Sequence, residues 1–168
     1  MVEYTCSGAH EGAGEHTWLV SQVRAGWTAE TEDGVTDELL GPLLDCVLPG
    51  EPYVEFGIVE FRLRESRPDL FRAHVADRGH VMLAPGIATA SSVRFGTALG
   101  RLARSGDLLS RYGAATGAWK YNGQVSYWAR PPAPSGSLSW AEHCEHLGRS
   151  PEWTDDDRAA ARGSDSGS

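Results

Sequence analysis

The sequence predicts an α+β chain, mainly helical, that closes on a β-hairpin and a flexible acidic tail. Two patterns carry this expectation. Phe95, Leu99 and Leu102 recur at i, i+4 and i+7 within "ATASSVRFGTALGRLARSG", the apolar stripe of an amphipathic helix. Downstream, Asn122-Gly123 separates Trp119 and Tyr121 from Val125, Tyr127 and Trp128. Asn-Gly between two β-rich runs favours a two-residue type I′ turn, which needs positive φ at both positions.

From the N-terminus, residues 1–14 are rich in glycine and small polar side chains and read as irregular. In "EHTWLVSQVRAGW", the spacing of Trp18, Leu19, Gln22, Val23 and Trp27 predicts a helix, with "TAETEDG" after it as an acidic loop. "TDELLGPLLDCVL" opens on Thr36 or Asp37 as helix cap, and Pro42 limits it to a short or kinked helix. "PGEP" at 49–52 breaks the chain and is the expected domain boundary. Residues 1–50 then form a helical region for packing or dimerisation, with Trp18, Leu19, Val23 and Trp27 as surface or core.

The second domain spans 51–131. "YVEFGIVEFRLRESRP" favours a helix, with a strand left open by its aromatic and β-branched residues. Pro68 ends it or starts the next helix, where Leu70, Phe71, His74 and Val75 share one side and Gly79 stops the run. "HVML" reads as a short strand. The helix over 91–105 carries a second stripe, Arg94, Thr97, Arg101 and Arg104, well apart from the apolar one. Gly96 and Gly100 lie inside it; each glycine costs a helix about 1 kcal/mol, so close packing or a close ligand is expected there. The hairpin covers about 108–130. Residues 132–168 begin as a Pro/Ser/Gly linker, include a short helix in "SWAEHCEHLG" capped by Ser139, and become disordered and acidic from about Arg149.

At 168 residues the chain is long enough for one domain with a core plus a tail. No apolar run is long enough to span a bilayer, and "MVEYTCSGAHEG" lacks the basic start and apolar block of a secretory signal. Cys6, Cys46 and Cys144 are an odd, widely spaced set, not a disulfide framework, so a cytoplasmic location is expected.

The net charge of −8 is unevenly spread. Residues 1–84 carry 6 basic and 15 acidic side chains, and residues 137–168 carry 3 and 7. Residues 85–136 carry Arg94, Arg101, Arg104, Arg111, Lys120 and Arg130 against Asp107 alone, a net +5 that suits a polyanion.

A helix, a glycine and a two-stranded ribbon in "TALGRLARSGDLLSRYGAATGAWKYNGQVSYWA" resemble the winged helix-turn-helix proteins of bacterial transcription control, over about 53–131. The resemblance implies a DNA-binding transcription regulator that reads duplex DNA with the helix over 91–105 and touches the backbone with its wing. Carried over by position, Ser91, Ser92, Arg94, Thr97 and Arg101 face the groove, and Arg104, Arg111, Lys120 and Asn122 face phosphates. The aromatics Trp119, Tyr127 and Trp128 are expected in the core. The alternative is a module of the same fold that docks an acidic protein partner, or acts as an adaptor, without binding DNA. A homodimer fits either reading.

A third reading is a zinc-stapled domain, with Cys6, His10, Cys144 and His146 as ligands if the termini meet. "HEGAGEH" does not match H-E-x-x-H, its histidines being six apart with glycines between. Phosphate-loop, dinucleotide-binding and nucleophile-elbow motifs are missing from the sequence, so no enzyme is expected.

Overall fold

A computed structural model describes residues 2–5, 17–20, 29–80 and 91–162 of the chain. Two units divide it, Met1–Gly34 and Val35–Ser168. In the first, β1 (Val2–Thr5) and β2 (Thr17–Val20) pair antiparallel from Val2↔Val20 to Thr5↔Thr17. Trp18 and Leu19 therefore lie on a strand where a helix was expected. Thr17, Trp18 and Val20 are β-branched or aromatic, and pairing with a second strand outweighs a short helical spacing. Val23 and Trp27 lie outside the described residues.

The long helix α1 (Ala29–Asp45) begins inside the stretch read as an acidic loop. Acidic residues suit the first turns of a helix, so polarity alone was a poor loop signal. Pro42 lies within α1 without ending it. Leu39 and Leu43, with Val47 beyond the helix, join one buried cluster that also holds Val54, Leu63, Phe71, Phe95 and Leu99. "PGEP" is thus a turn within this core and not a domain boundary. Arg130 fastens the helix end from across the fold, donating to the carbonyls of Leu44 and Val47 at 2.6 Å each.

Tyr53–Glu55 forms a strand, β3, that passes directly into helix α2 (Phe56–Ser66), so both readings of that stretch hold in part. Helix α3 (Pro68–Arg78) starts with proline in its first turn and stops at Gly79, at φ +73°. His80 is described, but the expected strand in "HVML" lies mostly outside the described residues. Helix α4 (Ser91–Ser105) buries Phe95, Ala98, Leu99 and Leu102, the stripe read from the sequence.

Strands β4 (Leu109–Ala114) and β5 (Gln124–Ala129) pair antiparallel from Leu109↔Ala129 to Ala114↔Gln124. The expected Asn-Gly turn does not join them. Residues Gly117–Asn122 wind into a 3-10 helix, and among the described residues no side-chain-bearing residue has positive φ. Trp119 belongs to this helix and is buried beside Phe56, their rings 5.3 Å apart edge to face. Burial of that indole holds the segment out of the extended conformation that Asn-Gly alone would favour.

Strand β5 has neighbours on both sides. The sheet order is β4-β5-β3-β6, where β6 (Ser137–Leu138) runs parallel to β3. The molecule is therefore α+β, with a mixed four-stranded sheet. Helix α5 (Trp140–His146) is capped by Ser139 as expected, with Glu142 completing a reciprocal capping box.

The chain past Arg149 is ordered through helix α6 (Asp155–Arg162), contrary to the disordered tail expected from its composition. Its anchor is Asp157, which is 3% exposed. Arg64 reaches one carboxylate oxygen at 2.7 Å, while Arg149 and the backbone and hydroxyl of Thr154 reach the other. Burial pushes the Asp157 pKa up, but the Thr154 backbone and Arg64 outweigh it and hold the carboxyl below its usual range. Three successive aspartates look like a solvated run; one of them is an interior counter-ion.

Among the described residues, no helix is long and apolar enough to cross a membrane.

Candidate functional site

Helix α4 carries most of the residues singled out for DNA, and its faces have different fates. Ser91 and Ser92, expected to face the groove, are buried at the first turn. Arg94 lies against α3: its guanidinium meets Asp77 at 2.9 Å and donates to His74 Nδ1 at 3.1 Å. Because arginine only donates, Nδ1 accepts and His74 is neutral with its proton on Nε2. Glu38 Oε1 lies 2.9 Å from Nε2, off the axis of a good hydrogen bond. Burial lowers the His74 pKa first, and the Arg94 charge adds to it. Arg101 meets Asp37 at 2.7 Å. Thr97 is exposed, and its hydroxyl donates to the Val93 carbonyl at 2.9 Å.

The remaining cations are placed differently. Arg104 is exposed and has no carboxylate partner among the described residues. Arg111 stacks on Tyr53, its guanidinium 4.3 Å from the ring centre, and donates to the Gly136 carbonyl at 2.6 Å. Lys120 is exposed on the 3-10 helix, and Asn122 donates to the Trp119 carbonyl at 3.3 Å. The nine residues therefore do not form one surface. Arg94 and Arg101 serve helix packing and the serines are interior, while Thr97, Arg104 and Arg111 lie on the far side.

That far side is a cleft of about 630 Å³ between α4 and the ribbon. Its helical wall is Val93, Gly96, Thr97, Gly100, Ala103 and Arg104; its other wall is Ser110, Tyr112, Ser126 and Trp128, with Arg111 at the rim. The register explains the second wall. Ser110 pairs with Trp128 and Tyr112 with Ser126, so the four side chains share one face of the sheet. The glycines explain the first. A Cβ on Gly96 would meet nothing within 4 Å, so this glycine leaves open space, not a packed contact. A smaller cleft of about 250 Å³ shares Val93, Gly96 and Ser126 and continues past Tyr121 and Gln124.

Two properties set this cleft apart. Among the described residues, no aspartate or glutamate lines either part. Its borders also show large side chains to solvent: Tyr112 is 80% exposed, Tyr121 51% and Val93 47%. The sequence reading missed Ser110, Tyr112, Ser126 and Trp128 as a set. Their alternation along "LSRYGA" and "QVSYWA" was visible, but the face opposite α4 was not.

Of the zinc candidates, Cys144 is fully buried and His146, two residues on in α5, is exposed, while Cys6 and His10 lie outside the described residues. Burial pushes the Cys144 and Cys46 thiols up to about 11, which opposes the thiolate a metal needs. Among the described residues no group of three or more His, Cys, Asp or Glu side chains is arranged to hold a metal.

Comparison with protein-family models, with curated proteins and with solved structures finds no match for this chain, which leaves the cleft to be read from its own geometry.

Proposed function

We propose that this chain is a protein-interaction module whose α4–β4 cleft receives an anionic segment of a partner. The observation that carries this reading is a concave surface on which, among the described residues, Arg104 meets no carboxylate, in a chain of net charge −8. Surface arginines of an acidic protein ordinarily meet its own carboxylates, as Arg94 and Arg101 do. Arg104 is left for something else. A charge at the rim of an interface steers and selects the partner, while apolar area at the centre supplies affinity. Val93 and Tyr112 supply that area.

Duplex DNA, bound as in a winged helix, is the second reading. It is supported by the order helix, glycine, ribbon and by the exposed cations Arg104 and Lys120. It requires Arg94 and Arg101 to exchange Asp77 and Asp37 for phosphate, and it leaves the buried Ser91 and Ser92 without a role. It also requires a protruding wing, whereas β5 is an interior strand with buried Tyr127, Trp128 and Ala129.

The two readings part in one titration. Full-length protein is titrated with a fluorescent glutamate-rich peptide and, separately, with a fluorescent duplex of random sequence at low salt. The peptide is expected to bind, and Arg104→Glu to weaken it by about tenfold. Tighter binding of the duplex than of the peptide, lost on Arg94→Ala, would overturn the proposal in favour of DNA.

A further inference from the structure

Strand β4 is the outer strand of its sheet, and no described strand pairs with its free side. The parity of its hydrogen bonds follows from its end. The Ala115 N–H donates to the Gly123 carbonyl at 3.1 Å, and this pair continues the β4–β5 register. Bonded and non-bonded pairs alternate in an antiparallel ladder. Leu109, Arg111 and Gly113 therefore spend their backbone groups on β5. Ser110 and Tyr112 turn theirs outward, and their side chains line the cleft.

We infer that the partner segment binds as an added β-strand along the outer edge of β4, with alternate side chains entering the cleft and an acidic one reaching Arg104. This rests on the reading of the cleft as a partner site and specifies how that site works. An edge strand offers a row of unpaired N–H and C=O groups, and strand addition uses them for affinity while pockets for alternate side chains give specificity. Strand β4 has 6 residues, a length of about 20 Å. Its neighbours fit the role: Gly96 and Gly100 leave depth beside it, and none of the described cleft residues is acidic.

A second copy of this chain is the obvious rival, since two β4 edges can pair about a twofold axis. Each copy would bring Arg104 to the junction with no acidic side chain among the described cleft residues to meet it. Like charges juxtaposed at an interface disfavour that partner. An acidic peptide meets no such penalty.

The test uses the full chain and a peptide selected on it from a phage-displayed random library. Amide exchange is followed residue by residue, without and with the peptide. In the free protein the Ser110 and Tyr112 amides exchange faster than those of Arg111 and Gly113. Bound peptide is expected to slow Ser110 and Tyr112 by at least about tenfold and to leave Arg111 and Gly113 nearly unchanged. Tyr112→Pro removes only an outward N–H, which an edge strand tolerates, and is expected to weaken binding by about tenfold or more, while Tyr112→Phe binds as wild type. The exchange pattern in the wild-type protein decides the matter even if the proline variant does not fold.

A peptide that binds and is weakened by Arg104→Glu, but leaves Ser110 and Tyr112 exchanging as before, overturns strand addition and leaves the cleft reading standing. Failure to recover any peptide overturns both. Selected sequences without acidic residues, or protein that dimerises through the same two amides, overturn the acidic-peptide assignment.

Discussion

The two sides of this molecule handle charge in opposite ways. Around β3, α5 and α6 two carboxylates, Glu55 and Asp157, are interior and held by several donors each. Glu55, with no exposed surface, accepts from the Thr116 backbone at 2.9 Å, the Thr116 hydroxyl at 2.7 Å and the Trp140 backbone at 2.6 Å. Tyr127 hydroxyl lies 3.3 Å from the same carboxylate and donates at 2.7 Å to the Ala114 carbonyl. Burial, then Glu55, pushes the Tyr127 pKa up to about 12. Asp157 does for α6 what Glu55 does for the strands. Across α4, by contrast, small residues leave space, and among the described residues the outer edge of β4 has no strand partner and Arg104 no counter-ion. A buried charge without its partners is expensive, so the first side is fixed by folding. The second side carries little of that constraint, which is where a surface is free to serve a partner.

The largest expected effect comes from breaking the saturated side. Asp157→Ala leaves Arg64 and Arg149 facing each other, with Thr154 unpaired at the start of α6. Loss of one member of a buried ionic cluster costs about 3–5 kcal/mol. Urea denaturation is expected to show a loss of that size, while affinity for the selected peptide, measured on folded protein, stays within about twofold. A stability loss under about 1 kcal/mol would mean the aspartate is solvated and the contrast between the two sides is overstated.

The second effect has the opposite sign on the two properties. Gly96→Ala and Gly100→Ala place a methyl in the cleft. At Gly96 it meets nothing within 4 Å, and at Gly100 only Arg104 Nη1 at 3.6 Å, an ordinary contact. Helix propensity then gives each variant up to about 1 kcal/mol of added stability. Peptide affinity is expected to fall, by about threefold to tenfold for the double variant. Gly57 is the control, because a Cβ there would meet Trp119 Cδ1 at 2.6 Å and must displace the indole. Gly57→Ala is expected to destabilise. If the α4 glycines behave as Gly57 does, they serve packing and not a ligand.

Much of the framework was legible in the chain. Phe95, Leu99 and Leu102 marked the buried face of α4, Gly79 and Pro68 bounded α3, and Ser139 marked the start of α5, because each signal is local and set by backbone geometry. What was not legible depended on distant partners. Asn122-Gly123 lost to the burial of Trp119 against Phe56 and Gly57. The acidic tail was ordered by Arg64, more than 90 positions earlier in the sequence. Arg94 and Arg101 gave a clear stripe, yet the sequence did not reveal that Asp77 and Asp37 face them. Charge spacing along one helix reports where side chains point, and only the neighbouring helices decide what they meet.

The smallest expected effect concerns pH, and it separates the two faces of α4. His74 and His143 are both held below the usual histidine pKa, first by burial, then by Arg94 and Arg62 respectively. In the unfolded chain each takes a proton near its ordinary pKa of about 6.5; in the folded protein each does so only at lower pH. Their contribution to stability is therefore complete above about pH 6.5 and declines as the pH falls below it. His74→Gln keeps an acceptor for Arg94 and removes one of the two protonations, so the decline in melting temperature below pH 6.5 should become shallower, by under about 1 kcal/mol equivalent. The cleft side contributes no histidine among its described lining residues. Peptide affinity is expected to stay constant between about pH 7.5 and 5.5, where carboxylates remain ionised. If affinity follows the same pH course as stability and His74→Gln flattens both, then the packed face and the cleft are coupled through α4 and cannot be treated as separate.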